Sequence, residues 1–215
     1  MNILELNRQA VASYKAKVAA EGSEKEFKLE IDTKARNNVV VRFLPYIENE
    51  ELQTFRTNSS HLFQNGNGWF FENCPTTIGE KCPSCESLKT LPNKVSKERE
   101  KHERYYMYLK VIKDRYIPKN NGKILIYKCN RKLFDLINKT PYGSPFDVEN
   151  GGNFTFDVTP GSLYKGKHLR VFEESGYLSG PSLFEDLDVI ETLKPITFEY
   201  KTYNEILEKM STLEE

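Results

Sequence analysis

The chain has 215 residues, of which 38% are hydrophobic and 29% charged, and its 31 Lys or Arg balance 31 Asp or Glu. That length supports one well-filled soluble domain with small appendages. No apolar run of signal-peptide or membrane-span length occurs, so secretion and membrane insertion are set aside, and the cytoplasm is the expected location. Thiols stay reduced there, and the four cysteines read as a metal or catalytic site before a disulfide framework.

In chain order, residues 1–20 read as a helix, with Leu4, Val11 and Val18 at seven-residue spacing and Arg8, Lys15 and Lys17 giving a basic side. Gly22-Ser23 ends it, so residues 1–22 are treated as an arm. Phe27 to Asp32 alternates apolar and charged residues strictly, as a half-buried strand does, and Val39 to Leu44 is a second strand stopped by Pro45. Asn65-Gly-Asn-Gly68 joins residues 61–63 and 69–71 in a hairpin. Strands follow at Tyr105 to Lys113 and Ile124 to Cys129, then a pair, Phe154 to Val158 and His168 to Phe172, turning at Pro160-Gly161. Helices are expected at Arg131 to Lys139 and at the C-terminus, where Tyr203, Ile206, Leu207, Met210 and Leu213 form an apolar stripe. Many short strands with few helices make the chain mainly β with minor α, and a small antiparallel barrel fits better than a sandwich.

His61, Cys74, Cys82 and Cys85 bring one imidazole and three thiols together. Cys82-Pro-Ser-Cys85 is a knuckle in which two thiolates grip one ion, and the hairpin folds His61 back toward Cys74. Four such donors with no spare position describe a closed tetrahedral Zn2+ site, a structural staple for a reduced compartment. Three readings compete. A redox pair at Cys82 and Cys85 needs neither Cys74 nor His61 and lacks a surrounding βαβ pattern. A deaminase-type catalytic zinc needs a Glu two residues after the histidine, where this chain has Phe63. In the third, the cysteines are small buried hydrophobes. Cys129 lies within a strand pattern and reads as core.

Charge is segregated along the chain. Ser87 to Lys139 carries fifteen bases against five acids, while Glu173 to Glu215 carries eleven acids against three bases. The basic stretch also holds tyrosines. On the strand from Tyr105, the residues Tyr106, Tyr108 and Lys110 share one face and Tyr105, Met107, Leu109 and Val111 the other, with the greasier face expected inward. Tyr127 and Lys128 precede Arg131 and Lys132. Rings that stack on unpaired bases beside cations that follow phosphates suit single-stranded nucleic acid, at roughly 1–3 kcal/mol per stacked base. The competing view is that these are ordinary amphipathic strand residues.

The order of motifs resembles the single-stranded-DNA-binding, helix-destabilising proteins of T-even bacteriophages and their relatives. The matching pieces are Val41 to Pro45, His61 with Gly68-Trp69 and Glu72 leading to Cys74, Cys82 to Cys85, Tyr105-Tyr106, Val111 to Asp114, Gly122-Lys123, Tyr127-Lys128, Arg131-Lys132 and Phe156 to Thr159. The resemblance implies an OB-fold core over residues 26–215 with an inserted zinc-binding subdomain at about 58–100 and a DNA cleft between the two. It also implies coating of exposed single strands in phage DNA replication, recombination and repair, within the host cytoplasm. By position, Tyr106 and Tyr127 match cleft aromatics, Lys128, Arg131 and Lys132 a cationic wall, and Tyr177 and Arg42 further family positions. The candidate DNA contacts are therefore Arg42, Tyr105, Tyr106, Tyr108, Lys110, Tyr127, Lys128, Arg131, Lys132 and Tyr177. Implied partners are single-stranded DNA, further copies in a cooperative filament, and replication and recombination proteins, with no membrane.

Two rivals stand beside this expectation. One is a zinc-ribbon protein-interaction or transcription-factor module whose aromatic face binds polypeptide. The other is a nucleic-acid enzyme, against which the sequence offers no paired carboxylates of convincing spacing, no Gly-rich phosphate loop and no nucleophile with a base.

Overall fold

The computed structural model describes residues 26–27, 37–65, 68–141, 144–147, 151–164, 167–172, 175–178 and 187–212. The arm expected at 1–22 lies outside them, as does most of the strand expected at 27–32. In chain order the strands are β1 (Glu26–Phe27), β2 (Asn37–Leu44), β3 (Tyr46–Glu48), β4 (Glu51–Gln53), β5 (Arg56–Asn65) and β6 (Gly68–Asn73). Two short helices, α1 (Pro83–Ser87) and α2 (Asn93–Arg99), precede β7 (His102–Asp114), β8 (Ile124–Cys129) and helix α3 (Arg131–Ile137). Then come β9 (Phe154–Tyr164), β10 (Lys167–Val171), β11 (Gly176–Tyr177) and helix α4 (Tyr203–Thr212). The protein is mainly β, as its many short strand patterns predict. Among the described residues no helix is long and apolar enough to cross a membrane.

Two units divide the chain. The first comprises Met1–Phe55 and Met107–Pro195, the second Arg56–Tyr106 and Ile196–Glu215, so β7 contributes its start to the second unit and its remainder to the first.

In the first unit the strand order is β1-β8-β7-β2-β9-β10, with β11 also on β9. Strand β2 pairs antiparallel with β7 and β9, and β9 antiparallel with β10 and β11, whereas β1 runs parallel to β8; among the described residues no ladder joins β1 to β10. The central strand β2 is almost continuously apolar because both its faces are covered: Val39, Val41, Phe43 and Leu44 are all buried. Phe43 meets Phe154 at 5.7 Å and Phe154 meets Phe156 at 4.9 Å between ring centroids, each pair adding about 0.5–1.5 kcal/mol to the area it buries. Buried Asp114 ends β7 by accepting the backbone N–H groups of Tyr116 at 2.9 Å and Ile117 at 2.8 Å. The turn expected at Pro160-Gly161 is absent. Strand β9 runs on to Tyr164, and β10 pairs back from Lys167 with a register shift between His168 and Arg170, opposite Pro160. Proline has no N–H to give the ladder, and the slip absorbs that loss without ending the strand.

The second unit is a three-stranded antiparallel sheet in the order β6-β5-β7. Helix α4 packs behind it: Ile206 and Met210 bury against Phe63 and Phe70, whose rings stack at 4.7 Å. Tyr203 and Leu207, expected in the same buried stripe, are exposed. Polar ties hold the helix as well. Glu72 on β6 receives Lys201 at 2.6 Å and also Lys209, and the Tyr203 hydroxyl donates to Glu86 at 2.8 Å.

Candidate metal centre and nucleic-acid interface

Strand pairing assembles the cysteine–histidine cluster. His61 lies opposite Glu72, and Cys74 follows β6 with its N–H donated to Ser59 at 2.8 Å. A 3₁₀ turn over Pro75–Ile78 ends at Gly79, whose φ of +83° only glycine adopts without strain, and sends the chain toward Cys82. Pro83 opens α1, and Cys85 sits one turn into it. The four donor atoms all lie within 4.8 Å of one another. Cys74 Sγ is 3.5 Å from Cys85 Sγ, and His61 Nε2 is 3.4 Å from Cys85 Sγ and 3.6 Å from Cys82 Sγ. A tetrahedron with metal–sulfur distances of about 2.3 Å and metal–nitrogen distances of about 2.0 Å has edges of about 3.8 and 3.5 Å, so the donors match an ion of that size.

The surroundings orient these donors. His61 Nδ1 donates to the Arg99 carbonyl at the end of α2 at 3.1 Å, which leaves Nε2 as the nitrogen facing the sulfurs. The Thr76 hydroxyl lies 3.1 Å from Cys74 Sγ. Burial lowers the affinity of His61 for a proton, but its hydrogen bonds with Cys74 and Cys82 outweigh that and lift its pKa to about 9. The Cys74 thiol is held far below its ordinary range by hydrogen bonds from Cys82 and Cys85. A cation entering the cluster takes the place of these shared protons. Cys129 is buried in the first unit and is not among the clustered donors, as its strand position predicts. Sequence alone did not reveal the Arg99 carbonyl or Thr76; backbone acceptors and a lone threonine carry no spacing signal.

The candidate DNA contacts fall into three groups. Tyr105, Tyr108 and Tyr127 are buried, which corrects the outward position read for Tyr108: its hydroxyl donates to the Lys194 carbonyl at 3.0 Å and its ring meets Tyr46 edge-on. Tyr127 packs on Phe156 at 5.0 Å, and Tyr105 donates to Glu103 at 2.6 Å. Both faces of β7 and β8 are covered at these positions, so alternation does not separate inside from outside. A second group is structural in its contacts. The Arg42 guanidinium is 1% exposed and donates to the Asp147 carbonyl; Tyr177 donates to the Ile137 carbonyl at 2.6 Å, with its ring edge-on to Phe154. Burial raises the Tyr177 pKa. The third group keeps contact with solvent. Lys110 and Lys128 are half-buried, Lys132 is exposed, and exposed Arg131 pairs with Asp135 at 2.8 Å. Half-buried Tyr106, in the second unit, leans on Phe198 at 4.7 Å, a neighbour that sequence separation conceals.

Comparison with known proteins places this geometry. The chain is 31% identical over 193 residues to a single-stranded DNA-binding protein of Enterobacteria phage T2, and 30% identical over 193 residues to that of Enterobacteria phage T4. Each alignment takes in 85% of this chain and 62% of the relative, so the chain spans less than two thirds of the length of these proteins. A shorter match, 36% over 65 residues, covers 29% of the chain and 57% of a single-stranded DNA-binding protein of Escherichia phage SV14. The family described as gp32 DNA binding protein like matches residues 35–214. Spanning both units and all four clustered donors, that match shows that the chain belongs to the gp32-like DNA-binding protein family.

Proposed function

We propose that the chain is a non-enzymatic protein that binds single-stranded DNA with little sequence preference and coats exposed strands in phage replication, recombination and repair. The observation that carries this reading is membership of the gp32-like family across residues 35–214, with relatives that bear the name single-stranded DNA-binding protein. Lys110, Lys128, Arg131 and Lys132 follow phosphates, while Tyr106 offers a ring to an unpaired base. A duplex hides its base faces, so ring contacts favour bare strands and pull the melting equilibrium toward them with no catalytic step. Arg42, Tyr105, Tyr108, Tyr127 and Tyr177 serve by holding the strands that present these groups.

In the same reading the cluster binds one Zn2+. Three thiolates and an imidazole fill four positions, leaving none for water or substrate, so the ion braces the second unit and does not catalyse. Further copies on the same strand and replication or recombination proteins are the partners this role calls for.

Titration of the metal-loaded protein with oligo-dT and with duplex of equal length, across a range of salt, tests the reading. Oligo-dT binding should be the tighter, and its logarithm should fall linearly with log salt, by about 0.7 for each phosphate neutralised. Lys132→Ala should lower that slope by about one contact. Equal grip on duplex, or affinity indifferent to salt, would overturn it.

A further inference from the structure

Within the second unit, the sheet face opposite the one that packs on α4 carries an aligned row of side chains. Register puts Tyr106 opposite Arg56, Arg104 opposite Asn58, His102 opposite Ser60, Phe71 opposite Leu62 and Trp69 opposite Gln64. Opposed residues share a face, and successive odd steps along a strand point to the other side. These side chains therefore lie in one row along β5, about 27 Å long from Tyr106 to Trp69 at about 3.4 Å per residue. The buried neighbours of the row, His61, Phe63 and Phe70, point to the opposite face.

Three features mark this row. Its far end is apolar and open: Trp69 is 66% exposed, Phe71 50% and Leu62 46%, side by side on adjacent strands. Its near end is basic, with Arg104 and His102, and no strand position of this face among the described residues is Asp or Glu. The acids Glu72 and Glu103 fall on the other face, where Glu72 is engaged by Lys201 and Lys209. Among the described residues, the chain's own segment covers the near end and reaches the middle of the row, through Phe198 on Tyr106, Tyr200 on Asn58 and the Glu199 carbonyl, which accepts Asn73 at 2.9 Å. The hydrophobic contact holding α4 uses Phe63 and Phe70.

We infer that Trp69 and Phe71 form a base-stacking platform that extends the DNA contact of Tyr106 along the β5–β6 hairpin, with Arg104 and His102 beside the phosphates between them. The occupant is unpaired nucleic acid. Flat rings next to cations, on strand positions that include no acid, complement stacked bases and a polyanionic backbone, whereas a protein partner would gain little from that charge pattern. The inference rests on the single-strand-binding reading and adds residues that tyrosine–lysine patterning did not single out.

Trp69 is the sole tryptophan, so its emission reports on this face alone. In the full metal-loaded chain, oligo-dT should quench that emission. Trp69→Ala and Phe71→Ala should each weaken oligo-dT binding by about five- to 150-fold, the range for loss of one stacked ring. Trp69→Phe should retain most of the affinity, and metal content and Tm should stay at wild-type values because both rings are surface groups. Tight wild-type binding with unmoved Trp69 emission and an unweakened Trp69→Ala/Phe71→Ala double variant would overturn this platform alone. Failure of the wild type to bind oligo-dT would overturn the proposed function with it. Loss of a DNA-free dimer in the double variant, with oligo-dT affinity intact, would assign the face to a second copy and likewise overturn the inference.

Discussion

Replacing Ile206 by alanine tests whether the C-terminal helix belongs to the unit that carries the cysteine–histidine cluster. Ile206 is 1% exposed and meets Phe63, Phe70 and Met210, of which Phe63 and Phe70 lie on the two strands that carry His61 and lead to Cys74. Removing its branched side chain forfeits transfer free energy and leaves a cavity that stacked rings cannot easily fill, a cost of about 2–5 kcal/mol for such a site. Taking about 3 kcal/mol, the population of molecules with this unit opened rises roughly 150-fold. Release of the bound metal to an excess of chelator, where it is limited by opening, should quicken by a comparable factor. Leu207, one residue on, is 48% exposed, and Leu207→Ala should shift stability by less than about 0.5 kcal/mol. Urea unfolding followed by Trp69 emission supplies the stability, and a chromogenic chelator supplies the release rate. A release rate for Ile206→Ala indistinguishable from that of Leu207→Ala would refute the reasoning.

Other expectations follow from the same contacts. Burial acts to raise the Glu72 pKa, but hydrogen bonds from Lys201 and Lys209 prevail and lower it, so the carboxylate stabilises the fold above its unfolded pKa and that contribution disappears as pH falls through the depressed folded value. Glu72→Gln should lose about 1 kcal/mol at neutral pH and nothing at the acid end, measured as the difference in urea midpoint between the two proteins. Cys82→Ala or His61→Ala should reduce metal stoichiometry from one to near zero and abolish the cooperative melting of the second unit, visible by elemental analysis and calorimetry. A Cβ at Gly151 would press on the Asp147 carbonyl and stand 2.8 Å from Arg42 Nη2, so Gly151→Ala should destabilise the first unit by about 1–3 kcal/mol while leaving metal content unchanged.

Local chemistry determined much of this protein without reference to tertiary contacts. Thiols and an imidazole at metal-binding spacing, a hairpin signalled by Asn65 to Gly68, and an apolar run at Val39 to Leu44 each carry their meaning within a few residues, because knuckles, tight turns and strands are set by short-range geometry. The family motifs were legible for the same reason. Tertiary structure alone decided which aromatic residues face water. Tyr108 and Tyr127 carry the same local pattern as Tyr106, yet Lys194 and Phe156, distant in sequence, bury them. It also decided that α4 joins the unit of Phe63 and Phe70, and that Arg42 binds the Asp147 carbonyl. Burial is a sum over neighbours that the chain brings together only on folding, so alternation along one strand tells apart its two faces but not which of them another segment will cover.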